Sequence, residues 1–277
     1  MAIDTTSDPH GRTLETVSTT FEVLNVLMEN DGAKATEIAQ ALDLSRSAVY
    51  NHLTTLKEHE WIVNCDNEYR LSLKFHQFGI FVRNKSTLFS TAKPEVQKLA
   101  EETGETAHLA TEQHGYQINL LKVTDKPAVA DEYHTEKLQK VSYHHDTASG
   151  KAILAFLPPE RVEAIIDKQG GLPRKTYNTI VDRDELLEDL EETRERGYAI
   201  NDEEEIERLR AVGAPIRDNA GNVLGAVSVS GPTSRLKGKR FREELPETVM
   251  STANIIELNL NMKNRITSAD EPTPENP

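Results

Sequence analysis

Apolar positions along the first seventy residues recur first at helical and then at strand spacing. Val17, Phe21, Leu24, Leu27 and Met28 repeat at intervals of three and four, which predicts an amphipathic helix that Asp31-Gly32 ends. Residues 35–42 predict a second, short helix, with Thr36 as its cap and Glu37, Ile38, Ala39, Ala41 and Leu42 in its body. Asp43-Leu44 forms a turn, and Ser45 offers its hydroxyl to the free N–H groups of a third helix. On that helix Val49, Leu53 and Leu56 share one stripe, so Ser47, Asn51 and Thr54 point away from it, flanked by Arg46 and Tyr50. Trp61-Ile62-Val63 and Glu68-Tyr69-Arg70-Leu71 are strand-like runs around Asp66-Asn67, which has the chemistry of a hairpin turn.

A short helical hairpin can belong to an ordinary core. Here a helix precedes it and a hairpin follows it, which is the order of a winged helix-turn-helix domain over residues 13–73. Small polar side chains, an amide and an Arg on the free face of the third helix suit reading of the DNA major groove. Residues 1–12 form a polar tail expected to be disordered. Residues 74–87 predict a linker helix whose Phe75, Phe78, Phe81 and Val82 make an aromatic face suited to contact between protomers. Residues 88–265 alternate strands and helices. A helix from Thr87 to Thr103 contains Pro94 and stops at Gly104, and strands at 108–112 and 117–123 flank a turn at 113–116. Helices follow at 148–157 and 160–168, ended by Pro158-Pro159 and Gly170-Gly171. Asp182 and Glu185 have the spacing of a capping box, and Leu186, Leu187 and Leu190 carry that helix to Gly197. Strands at 211–216 and 223–230 flank a hairpin turn at 217–222, and a helix at 249–260 closes the domain. Mixed strands with flanking helices give an α+β sensor-like domain. Residues 266–277 are polar and Pro-rich, a tail expected to be disordered.

Charge sharpens this picture. The chain carries 46 acids against 32 bases, a net charge of −14. A polyanion repels DNA, whose affinity for proteins comes largely from Lys and Arg on phosphates. Yet no acid lies between Asp43 and Glu58, nor between Glu68 and Glu95. Residues 44–94 carry +3, which leaves −17 on the rest. Arg70 and Lys74 fall in the second acid-free window, so the expected DNA-binding set is Arg46, Ser47, Tyr50, Asn51, Thr54, Arg70 and Lys74. The acid excess fits either a halophilic protein, whose acidic surface stays hydrated at high salt, or an ordinary acidic cytoplasmic one. Cys65 is the single cysteine, which excludes an intrachain disulfide framework. No apolar run reaches membrane-spanning length and the polar start of the chain is unlike a signal peptide, so a cytoplasmic protein is expected.

Catalytic chemistry finds no home. Gly150-Lys151 ends like a phosphate-binding loop, but His145 stands where the first Gly is required and Ala152 replaces the Ser or Thr. Ser228-Val229-Ser230-Gly231 lacks the leading glycine of a nucleophile elbow. His144-His145-Asp146 has no further His or Cys at ligand spacing, so no metal and no cofactor are expected.

The chain resembles the IclR family of transcriptional regulators over residues 13–263. The wing-closing Tyr69-Arg70-Leu71 matches, and four blocks of the second domain match in order. They run over residues 147–155 (TASGKAILA), 196–204 (RGYAINDEE), 214–218 (APIRD) and 226–232 (AVSVSGP). The resemblance implies a GAF-like effector domain, a homodimer or dimer of dimers on a pseudo-palindromic operator in double-stranded DNA, and binding altered by a small organic metabolite. It implies no enzyme, and the alternatives are a winged-helix DNA-binding protein without a ligand and an enzyme with a DNA-tethering domain. Family effector positions fall on Ala148, Ser149, Leu209, Ser228 and Ser230. Asn201 stands where the family has Asp, Ala211 where Cys is frequent, and Arg208 where Gly is usual. The expected effector-binding set is therefore Ala148, Ser149, Asn201, Leu209, Ala211, Ser228 and Ser230. Strand alternation puts Ser228 and Ser230 on one face, where both hydroxyls can enter one cavity.

Overall fold

Three helices build the N-terminal part: α1 (Glu15–Glu29), α2 (Ala35–Ala41) and α3 (Arg46–Glu58). In the computed structural model, which describes residues 11–124 and 142–269, they close around Val23, Leu27, Ile38, Val49, Leu53 and Ile62. The Val49, Leu53 and Leu56 stripe is buried as the spacing requires. The apolar face of α1 is the expected one only in part: Leu27 is buried and Leu24 packs against the core. Val17, Phe21 and Met28 are 47%, 62% and 56% exposed, and the core takes Val23, Val26 and Leu27. Both stripes satisfy a 3.6-residue period, and a core this small has room for one. Thr36 is not the cap of α2 either. The cap position is Lys34, two residues earlier, and the Glu37 carboxylate accepts from the Lys34 backbone N–H at 2.7 Å. Ser45 does cap α3, its Oγ accepting from the Ala48 N–H.

Strands β1 (Ile62–Cys65) and β2 (Glu68–Leu71) pair antiparallel. Asp66 and Asn67 join them with φ of 51° and 67°, the two positive values that a two-residue type I′ turn needs. Helix α4 (Lys74–Lys85) follows, its face divided. Phe75 and Phe78 stack on Trp61 with centroids 4.8 Å away, whereas Phe81 and Val82 are exposed.

The chain divides into two compact units, Met1–Asn84 and Lys85–Pro277. The second begins with α5 (Thr87–Thr103), which Gly104 ends at φ 65°. Then come β3 (Thr106–Gln113), β4 (Tyr116–Thr124), α6 (Ala148–Leu154), α7 (Pro159–Lys168), α8 (Arg183–Arg196), β5 (Ala199–Asp202), β6 (Leu209–Arg217) and β7 (Val223–Pro232). A π-helical turn (Arg240–Glu244) leads into α9 (Leu245–Ala269). The sheet order is β4-β3-β7-β6-β5, with every pair antiparallel. Val212, Ala214, Ile216, Val227 and Val229 face α5 and α9 across the main core. Ala199 and Ala226, on the opposite face, pack on Ala152 and Ile153 of α6.

Some element limits differ from expectation. Helix α6 stops at Leu154, three residues early, and Pro159 opens α7, where its missing N–H costs nothing. Strand β5 was not expected, and Leu187 of α8 points outward. Helix α9 continues through Ala269, past the expected tail boundary at 266, because no Gly or Pro interrupts residues 247–271. The remainder of that tail, and residues 1–10 of the N-terminal one, lie outside the described residues. The architecture is α+β: an N-terminal helix-turn-helix domain and a C-terminal α/β domain on a five-stranded sheet.

Candidate functional site

Two surfaces collect the expected residues. On α3, Arg46, Ser47, Tyr50, Asn51 and Thr54 are all exposed, since the buried stripe faces away. Ser47 Oγ lies 3.0 Å from Ser45 Oγ, so the cap and the first turn share a hydroxyl pair. On the wing, the Arg70 guanidinium reaches Glu68 at 3.2 Å. Lys74, expected as a free phosphate contact, is instead folded back. Its Nζ donates to the His59 carbonyl at 2.8 Å and sits over the Trp61 ring, bracing the C-terminal end of α3. A cation satisfies orphan carbonyls there. His52 likewise is a packing residue, with Nδ1 2.8 Å from Thr20 Oγ1.

The second site is a cavity between the start of α6 and the polar face of the sheet. Its empty space is about 330 Å³, counting the part open to solvent. All seven residues of the expected effector set line it, although they come from α6, β5, β6 and β7. Gly213 allows this approach, because a Cβ there would meet the Ala148 carbonyl oxygen at 2.6 Å. Among the described residues the Ser228 hydroxyl makes no hydrogen bond, while Ser230 Oγ lies 2.9 Å from His108 Nε2. Ser149 Oγ accepts from Gln117 Nε2 at 3.1 Å, and Gln117 Oε1 accepts from Thr147 Oγ1 at 2.7 Å.

Asn201 is not a rim residue. It is 2% exposed, and its amide bridges the Asp146 carbonyl at 2.7 Å and the Glu204 N–H at 3.0 Å. It ties the start of α6 to the β5–β6 loop. Arg208 explains the glycine usual in that loop: its φ is 61°, a left-handed conformation that glycine adopts without strain. Sequence reasoning missed five lining residues: His108, Gln117, Asn119, Thr147 and Glu205. For His108 the missing signal is register, since it pairs with Ser228 across β3 and β7.

Three further groups sit beneath the cavity. Lys151 is 1% exposed, with Nζ 2.8 Å from both Glu204 carboxylate oxygens and 3.1 Å from Asp189 Oδ2. Burial pushes the Glu204 carboxyl up, against the pull of Lys151. His144 and His145 are buried and held neutral. Burial first, then Arg161, lowers His144 to about 3, and burial lowers His145 to about 4. Each ring is engaged, His144 with Gln169 and His145 with the Pro173 carbonyl, while Asp146 pairs with Lys175. Among the described residues no His, Cys, Asp and Glu group has metal-binding geometry, and no helix is long and apolar enough to cross a membrane.

Comparison with known proteins finds matches over both parts of the chain. Residues 16–64 match the model of the IclR helix-turn-helix domain, and residues 81–258 that of the bacterial transcriptional regulator IclR C-terminal domain. A probable HTH-type transcriptional regulator ArcR of Halobacterium salinarum is 38% identical over 252 residues, covering 90% of this chain and 95% of that one. The crystal structure of Thermotoga maritima IclR is 29% identical, covers 90% of this chain and 99% of that one, and superposes with a TM-score of 0.65. An IclR homologue from Microbacterium hydrocarbonoxydans, solved with 4-hydroxybenzoate, shares the fold at 21% identity and a TM-score of 0.71, over 89% of this chain and 99% of that one. The helix-turn-helix, the five-stranded effector-type domain and matches over both establish that this chain belongs to the IclR family of DNA-binding transcriptional regulators.

Proposed function

We propose that the protein is a cytoplasmic, non-enzymatic regulator of a metabolic operon, whose α6–sheet cavity takes a small organic effector that alters operator binding. The observation that carries this reading is the convergence of seven residues from four elements on one polar cavity. Ser149, Ser228 and Ser230 hydrogen-bond the effector, with His108 behind Ser230, and Leu209 and Ala211 give an apolar wall. The 4-hydroxybenzoate carried by the Microbacterium homologue supports a small organic effector. Replacing Ser228 and Ser230 together by Ala is expected to leave folding and basal operator binding intact. The ligand response, read as the shift in operator binding across a metabolite panel, should weaken by about 1–3 kcal/mol. A double variant that responds with wild-type affinity puts the effector elsewhere. An unchanged operator affinity across the panel for the native protein favours the ligand-free reading, and turnover of any panel member favours an enzyme.

Phe81 and Val82, exposed on α4, support a homodimer through that helix. A dyad then presents two α3 helices to a pseudo-palindrome, with half-sites about one helical turn or a multiple apart. Arg46→Ala and Asn51→Ala should each cost about 1–3 kcal/mol and relax base preference, read by quantitative footprinting on operator and mutated operator. A footprint over a single unrepeated site, or unchanged affinity in the Arg46 variant, removes this placement. The acid excess, together with the Halobacterium relative, supports a halophilic surface.

A further inference from the structure

The acid excess of the chain is unevenly spread. From Arg208 to Arg242 there are eight bases and one acid, Asp218, and five of those bases fall in residues 235–242 (RLKGKRFR). The fold uses some of them internally. Arg235 and Arg240 hold the buried Glu105 carboxylate at 2.7 Å and 3.3 Å, and Arg217 holds Glu257. Lys237 and Arg242 are exposed and make no ion pair among the described residues. Lys239 is exposed too, its Nζ 3.9 Å from Glu244. These bases border an open cavity of about 450 Å³, lined among others by Asp202, Arg210, Lys239, Phe241, Arg242 and Glu243. Arg210 lies between Leu209 and Ala211 on β6, so strand alternation turns it to the face opposite the effector cavity. Its guanidinium sits over the Phe241 ring, 4.9 Å from the centroid, and donates to Asp202 at 2.6 Å and to the Leu236 carbonyl at 3.0 Å. The π-helical turn divides its side chains: Arg240 reaches Glu105, Phe241 is buried against Arg210, and Arg242 is exposed. Turns of this kind recur at functional sites.

We propose that this cavity is a second ligand site, separate from the effector cavity, for a small anion carrying two or more charges on phosphate. Arg210, Lys239 and Arg242 supply the cations. Asp202 is spent on Arg210, and its bonds with the Leu236 carbonyl take three of the five guanidinium donors, leaving two. Glu243 is the group that opposes an anion, and it makes no ion pair among the described residues. The −14 of the whole chain does not exclude such a ligand. The screening length is about 8 Å at 0.15 M salt and about 3 Å at 1 M, so the charges at the cavity decide. Under that screening, affinity needs direct contact with several cations at once. A monoanion cannot supply it, whereas phosphate oxygens can pair with guanidinium donors and still reach an ammonium.

Inorganic pyrophosphate is the probe. Titrated calorimetrically into the full chain at constant potassium chloride, it should bind saturably, and added chloride should compete. Lys239→Gln with Arg242→Gln should weaken binding about tenfold through the loss of two charge-assisted contacts. Both side chains are exposed, so the circular dichroism should not change. Glu243→Gln should tighten binding about threefold, a gain that damage to the fold cannot imitate. Ser228→Ala with Ser230→Ala should bind pyrophosphate as the native protein does. Loss of binding in that serine variant places the anion in the effector cavity and overturns the proposal. So does the absence of saturable binding, or equal binding by the native protein and the Lys239, Arg242 variant. Citrate binding as tightly as pyrophosphate overturns the phosphate class. If pyrophosphate fails to bind and the Lys239, Arg242 variant loses operator affinity, the bases contact DNA instead of a small anion.

Discussion

Lys151→Met is expected to destabilise the effector domain by about 3–5 kcal/mol, the usual consequence of removing one partner from a buried ion pair. The Lys151 ammonium lies between Glu204 and Asp189 and is 1% exposed. Methionine fills much the same volume but leaves Glu204 without its cation, facing Asp189, which keeps only Arg196 at 3.6 Å. Glu204 is already raised by burial, with Lys151 opposing that rise. For a carboxyl whose folded pKa is raised, the stabilising contribution is full below the unfolded pKa and lost as pH rises through the folded one. The variant should therefore lose more at pH 8 than at pH 5. Urea unfolding at the two pH values measures this. Adding Glu204→Leu should recover part of the loss, since an apolar replacement of a buried pair can be near neutral. A loss under about 1 kcal/mol, or one independent of pH, means that water or rearrangement already screens the carboxylates.

The same residue marks where sequence reasoning succeeds and where it stops. Gly150-Lys151 looks like the end of a phosphate loop with its other parts missing. In the fold each residue has a separate task. A Cβ on Gly150 would stand 2.3 Å from the His144 carbonyl oxygen, so the glycine lets segment 144–146 lie against α6. Lys151 holds α6 to Glu204, whose neighbour Glu205 and partner Asn201 line the cavity. Neither task is local. The Lys151–Glu204 bond spans 53 positions, and a two-residue pattern cannot encode it.

Local chemistry was legible. Ser45 as cap, the Val49-Leu53-Leu56 stripe and the Asp66-Asn67 turn depend on a few adjacent residues, and each has the predicted form. The alternation of Ser228 and Ser230 predicted a shared strand face, and both line one cavity. Choices among equivalent patterns were not legible. Helix α1 offers two apolar stripes of the same period, and only packing decides between them. Strand β5 is four residues at a sheet edge, too short for alternation to stand out. His108 joins the cavity through pairing with a strand some 120 positions away, and its polar character alone gives no hint of that. Lys74 shows the limit of charge reasoning, because an acid-free window does not reveal that the ammonium is already bonded to the end of α3.

Acidification should unfold the effector domain well before ordinary carboxylate titration does. Among the described residues His144 and His145 are the two buried histidines, 0% and 1% exposed. His144 faces Arg161, His145 and Gln169; His145 faces Lys175, Lys151, the Tyr143 ring and the Pro173 carbonyl. No carboxylate is among the groups that shift either ring, so protonation adds a cation to cations in a dry site. Both folded pKa values lie below the unfolded 6.5, at about 3 and about 4. Unfolding therefore takes up protons, and stability is full above pH 6.5 and falls below it. At 1.36 kcal/mol per pH unit, His144 alone removes about 3 kcal/mol by pH 4, and His145 acts in the same direction. Glu204, raised by burial, works the other way and softens the fall. Melting temperature measured from pH 7.5 to 4.5 should stay level and then drop below about 6.5. His144→Asn, whose carbonyl oxygen can stand in for Nδ1 toward Gln169, should melt lower at pH 7.5 but with a shallower drop. Parallel curves for the two proteins would mean that His144 opens to solvent before the domain unfolds, and that its burial does not govern acid stability.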